Sequence, residues 1–129
     1  TAGIAYDLDN ADWSTYKLDK GSEKANCIVA IISSAEGIAC QDELMDQQMD
    51  KYVAEAYERG VSDPRDLMMC VNIRHLGGKG AMTRMLTKSA GLYTVDSLYA
   101  AIQTDTGNQA GAFRQRNFLV YKWILQNVD

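Results

Sequence analysis

Apolar residues in this 129-residue chain recur at three- and four-residue steps, the spacing of one helix face, and no β-branched run alternates as a half-buried strand would. Residues 4–20 gather Asp7, Asp9, Asp12 and Asp19 around Trp13, Tyr16 and Leu18. This predicts a loop leading into a short helix that begins near Asn10, with Trp13 as its anchor. Ser22 then reads as the N-cap of a helix with an acidic first turn, a stripe of Cys27, Ile28, Ile31, Ile32 and Ala35, and an end near Gly37. From Ile38 to Glu58 the positions Ile38, Met45, Met49, Tyr52, Val53, Ala56 and Tyr57 make the clearest amphipathic helix, with Asp and Glu on the other side.

Gly60 supplies a stop, and Ser62-Asp63-Pro64 an N-cap followed by proline at the first helical position. The helix that follows, about residues 64–74, is apolar nearly all round through Leu67, Met68, Cys70, Val71 and Ile73, so the other elements are expected to pack on it. Gly77-Gly78-Lys79-Gly80 is expected to end it, and Met82, Met85 and Leu86 mark a short successor. Thr94 caps another helix through Thr104 with Val95, Leu98, Tyr99 and Ile102 inward. A last helix runs from about Gln109 to Asn127 with Phe113, Val120, Tyr121, Ile124 and Leu125 on one side. The expected fold class is all-α, six to seven helices around the central apolar helix, and with no repeat and no linker the chain reads as one helical domain.

Composition changes this picture little. With 47% apolar and 23% charged residues, the chain is large enough for a real core. Residues 1–63 carry 13 acidic and 5 basic side chains, residues 64–129 carry 4 and 8, so the second half is cationic within a net charge of −4. The basic residues are scattered among apolar ones, which speaks for a solvated surface and against nucleic-acid binding. Cys27, Cys40 and Cys70 form no C-x-x-C pair and are expected to be buried and reduced. No apolar run reaches the roughly 18 residues that span a bilayer. The opening Thr1-Ala2-Gly3 has no signal-peptide character, so a soluble chain is expected, and the missing initiator Met suggests a processed chain or a fragment.

Candidate chemistry is sparse. Gly77-Gly78-Lys79-Gly80 lacks the preceding strand and the Lys-Ser/Thr of a phosphate loop. His75 is the only histidine, which alone assembles neither a metal site nor a triad, and no cofactor is implied. Carboxylates remain. A glycosidase needs a protonated acid in an apolar setting and a second group for the oxocarbenium charge or the water. Glu36 closes the apolar run 27–32 and precedes Gly37, where burial would raise its pKa; the plain alternative is an exposed carboxylate at a helix end.

The run from Asp66 through Asn72-Ile73-Arg74-His75-Leu76-Gly77-Gly78-Lys79-Gly80-Ala81 resembles the buried helix, glycine turn and following basic helix of phage-type lysozymes. Gln41-Asp42-Glu43-Leu44 with its long helix is similar to the interlobe helix, and Thr104-Asp105-Thr106-Gly107-Asn108-Gln109 leading to Arg114-Gln115-Arg116 to the last substrate-side turn. A closer likeness, to phage and clostridial wall-lytic proteins of the lysozyme-like superfamily, covers about residues 36–125. The resemblance implies a peptidoglycan glycosidase, or its helical C-terminal lobe, made in the cytoplasm and acting on glycan strands of the bacterial wall. It places Asn72, His75, Gly77 and Gly78 on the floor of a glycan cleft and Asn108, Gln109 and Arg114 against N-acetyl or carboxyl groups.

This chain departs from that family in having no glycine-rich hairpin after Glu36, so the catalytic acid is expected upstream of Thr1 unless Glu36 stands in for it. Other readings stay open. The glycines would equally punctuate two helices, Asn108-Gln109 would equally cap one, and the chain would equally be a non-catalytic glycan-binding or assembly module. A third class, an interaction protein, needs Met45, Met49, Met68, Met69, Met82 and Met85 exposed, whereas their helical spacing favours a core.

Overall fold

The computed structural model describes residues 9–12, 14, 15, 17–105 and 113–129. Among them the fold is all-α, with five helices and no strand. By its contacts the chain divides into two compact units, Thr1–Asp46 and Gln47–Asp129.

In the first unit, α1 spans Glu23–Ile32, and the Ser22 hydroxyl accepts the Ala25 amide at 3.2 Å, as an N-cap does. The helix does not run on to Gly37. It stops at Ile32 because Ser34 starts a new one: its hydroxyl donates to the Ile31 carbonyl at 2.7 Å and accepts the Gly37 amide at 3.0 Å. A Cβ on Gly37 would collide with the Ile31 carbonyl, so only glycine fits this corner. The second helix, α2, covers Ala35–Tyr57, and the Gln41 amide donates back to the Ile32 and Gly37 carbonyls at 2.8 and 2.9 Å. No residue of α1 is buried, so its apolar stripe is not a core face.

The second unit holds the core. At the end of α2 the chain turns through Gly60, and the Val61 amide reaches back to the Ala56 carbonyl at 3.1 Å, tucking Val61 beside Ala56. Asp63 caps α3 by accepting the amides of Arg65 and Asp66, with Pro64 at the first helical position. That element runs Pro64–Lys88, longer than its expected end at Arg74. The glycine run does break the helix, and the two helical stretches that meet at the kink are counted here as one element, which is one reason five helices are found where six to seven were expected. The kink is at Gly78, whose φ of 74° and ψ of −177° are non-helical.

Thr94 caps α4, Val95–Gln103, and α5 covers Arg114–Asn127. α3 packs against both α4 and α5, and these pack against each other. From α3, Leu67, Met69, Cys70 and Ile73 are buried before the kink and Ala81, Met82, Met85 and Leu86 after it. Val95, Leu98, Ala101 and Ile102 of α4 and Ile124 of α5 complete the cluster. Each large side chain so buried is worth roughly 1.5–3 kcal/mol, which makes α3 the helix that organises the unit.

Three expectations about side chains change. Cys70 is buried, but Cys27 is only half-buried and Cys40 is exposed, because α1 and the first half of α2 bury almost nothing; all three thiols are free. Met69, Met82 and Met85 are core residues, whereas Met45 and Met68 are exposed. On α5 the inward positions include Asn117 with Ile124, while Phe113 and Leu125 are exposed. The expected role of Trp13 lies outside the described residues.

Candidate functional site

Two polar contacts in the second unit lie at the edges of the stretches singled out in the sequence: Asn72 of 66–81 meets Asn117, just past 104–116, and Asp105 of 104–116 meets Arg84 and Lys88, just past 66–81. The first joins α3 to α5. Asn72, half-buried, donates its side-chain amide to Oδ1 of Asn117 at 3.0 Å, and Asn117 is itself buried. Asn117 sits on the face of α5 that carries Ile124, so its amide replaces an apolar side chain in the contact. A buried amide in such a place is stabilised only by its hydrogen bonds, which makes the pair a register pin for the two helices.

The second contact joins the far half of α3 to the segment after α4. Asp105 is only 1% exposed, and Arg84 Nη2 approaches its Oδ2 at 3.2 Å and Lys88 Nζ its Oδ1 at 3.0 Å. Lys88 also donates to the Thr104 carbonyl at 3.3 Å. Burial pushes the Asp105 carboxyl up, but the hydrogen bonds and charges of Arg84 and Lys88 together outweigh it and hold the group below its ordinary value. Arg84 Nε is buried with no hydrogen-bond partner among the described residues. The start of the 104–109 segment is thus tied to the helix that bears the glycine kink.

Around these contacts lie the other candidates. His75, one turn beyond Asn72, is exposed, its ring tilted against Tyr52 with centroids 6.3 Å apart. Beside it Arg74 lies over the Tyr52 ring at 4.4 Å and pairs with Glu55 at 2.6 Å. The hydrogen bond from Arg74 holds the Glu55 carboxyl below its usual value. Gly77 and Gly78 are half-buried, and a Cβ built at Gly78 meets nothing within 4 Å. Glycine at 78 is therefore demanded by the backbone and not by a crowded neighbour. Arg114, the first residue of α5, is exposed one turn before Asn117. Asn108 and Gln109 lie outside the described residues.

Glu36 stands apart, in the first unit. It occupies the first turn of α2 and is exposed, so the apolar burial expected of a general acid is not found around it. Among the described residues no group of three or more His, Cys, Asp or Glu side chains is arranged to hold a metal ion. Nor is any helix among them long and apolar enough to cross a membrane.

Sequence reasoning missed Asn117 and the pairing role of Asp105. Asn117 was readable from its spacing, since 117, 120, 121 and 124 share a helix face; its polarity hid it. Asp105 is a carboxylate in a polar turn motif, and nothing local signals that two cations from a helix far back in the chain will bury it. Compared with protein-family models, curated proteins and solved structures, the chain gives no match to any of the three.

Proposed function

We propose that this chain supplies the glycan-binding helical lobe of a peptidoglycan-cleaving glycosidase of the lysozyme-like kind, its ligand the alternating N-acetylglucosamine and N-acetylmuramic acid polymer. The observation that carries the reading is the junction at Asn72 and Asn117. It ties Asn72, in the stretch that also carries exposed His75 and the kink at Gly78, to the helix that begins with exposed Arg114.

The chemistry suits an amide-rich, partly anionic polymer. Asn72, half-buried, donates through its side-chain amide to Asn117, and a side-chain amide oxygen such as its own is an acceptor for the N–H of an N-acetyl group. Arg114 offers a planar fork to the lactyl or peptide carboxylates of muramic acid. The bare backbone at Gly78 lets a flat sugar ring approach without meeting a side chain. The exposed setting of Glu36 supports the binding form of the reading over the catalytic one, because a general acid working near neutral pH needs its carboxyl desolvated.

The test is co-sedimentation of the chain with purified, insoluble peptidoglycan, with release of reducing sugar followed in the same samples. Binding is expected, and Arg114→Ala is expected to weaken it about tenfold, the loss of one charge-assisted hydrogen bond. A folded chain that stays in the supernatant overturns the proposal. Sugar release that disappears in Glu36→Gln would instead make the chain a compact glycosidase with Glu36 as its acid.

A further inference from the structure

Two apolar surfaces of this chain stay open to solvent, and their charges are opposite. The stripe Ile38, Met45, Met49, Val53, Ala56 runs the length of α2, but only its second half sinks towards the core. Ile38 is 49% exposed and Met45 is also exposed, and with them Ile31 and Ile32 at the end of α1 and Leu44. Residues 23–46 carry five carboxylates, Asp42 beside the stripe among them, against the single Lys24.

The other surface is the outer side of α5, opposite Asn117 and Ile124 by helical spacing. Leu119 is 57% and Trp123 51% exposed, and Lys122 reaches over the exposed Phe118 ring at 5.6 Å. This helix carries Arg114, Arg116 and Lys122 and no acidic residue. Bulky aromatic side chains flanked by cations are the composition that dominates the energy of protein interfaces.

We propose that the acidic apolar arm formed by α1 and the start of α2 in one molecule docks on the basic apolar face of α5 in a second molecule of the same chain. Charge decides the pairing. Arm against arm would press carboxylates together, and α5 against α5 would press cations together, whereas arm against α5 lets apolar surface be buried inside a complementary rim. Each contact joins two different patches, one from each molecule.

Sedimentation velocity over a range of protein and salt concentrations tests this. Self-association is expected to grow with protein concentration and to weaken with added salt. Lys122→Glu and Asp42→Lys are each expected to weaken it about tenfold, and an equimolar mixture of the two variants to restore it, because the reversed charges then face each other across the contact. Both positions are exposed, and unchanged far-ultraviolet circular dichroism verifies that the variants are folded. A single monomeric species at every concentration overturns the proposal. So does association that ignores the reversals, or that the mixture fails to restore.

Discussion

At the scale of single residues, stability is concentrated in a few buried polar groups. Asp105→Asn keeps the shape of the side chain but removes the charge that Arg84 and Lys88 meet. A loss of about 1–3 kcal/mol in urea denaturation is expected, below that of a fully buried pair because both cations keep access to water. The carboxyls of Asp105 and Glu55 are held low in the folded chain and return to about 4 in the unfolded one. Their contribution is therefore present above about pH 4 and lost as the pH falls through the lower folded values, and Asp105→Asn is expected to flatten this acid limb. Asp66 works with the opposite sign: burial raises it, against the Val95 amide that donates to it at 2.6 Å, so its contribution is full below its ordinary value and lost as pH rises through the folded one. Asn72→Ala takes one donor from the buried Asn117 and is expected to cost about 1–2 kcal/mol. The thiols give a further check. Burial pushes the Cys70 thiol up to about 11, so an aromatic disulfide reagent at mildly alkaline pH is expected to label Cys40 at once and Cys70 only after unfolding.

At the scale of elements, the two glycines Gly78 and Gly80 lie two residues apart and are expected to respond in opposite ways to alanine. Gly78 has a backbone conformation that essentially only glycine adopts, and Gly78→Ala is expected to lower stability by about 1–3 kcal/mol despite the empty space around it. Gly80 is helical, and a Cβ there would make an ordinary contact with Arg84 at 3.7 Å, so Gly80→Ala is expected to raise stability by up to about 1 kcal/mol. Thermal unfolding of the two variants separates these outcomes. Most of the helices were legible in the sequence because their ends are written locally, in Ser22, Asp63-Pro64, Thr94 and Gly60. The corner at Ser33-Ser34 was not, since the apolar run 27–32 continued through Ala35 and Ile38 at helical spacing and outweighed the capping signal of one serine. The exposed setting of Glu36 follows from that misplaced boundary: it opens a helix and does not close one.

At the scale of the whole molecule, burial is uneven. α1 and the first half of α2 contribute no buried side chain, whereas α3 and α4 supply most of the core, so local opening is expected to cost little in residues 23–46 and nearly the full unfolding free energy in α3 and α4. Native-state amide exchange is expected to be fast in the first group and slowest around Ile73, Met82 and Leu98; equal protection throughout would contradict it. The sequence by itself determined the all-α class, the central place of the helix beginning at Pro64, the break at its glycines and the inward face of α4, because periodicity and capping act within one or two helical turns. Only the tertiary structure decided which apolar stripes find a partner, which thiols are covered, and that Asn72 meets Asn117 and Asp105 meets Arg84 and Lys88. The physical reason is that burial belongs to pairs of surfaces: a stripe of Ile and Met looks the same along the chain whether or not another helix arrives to cover it.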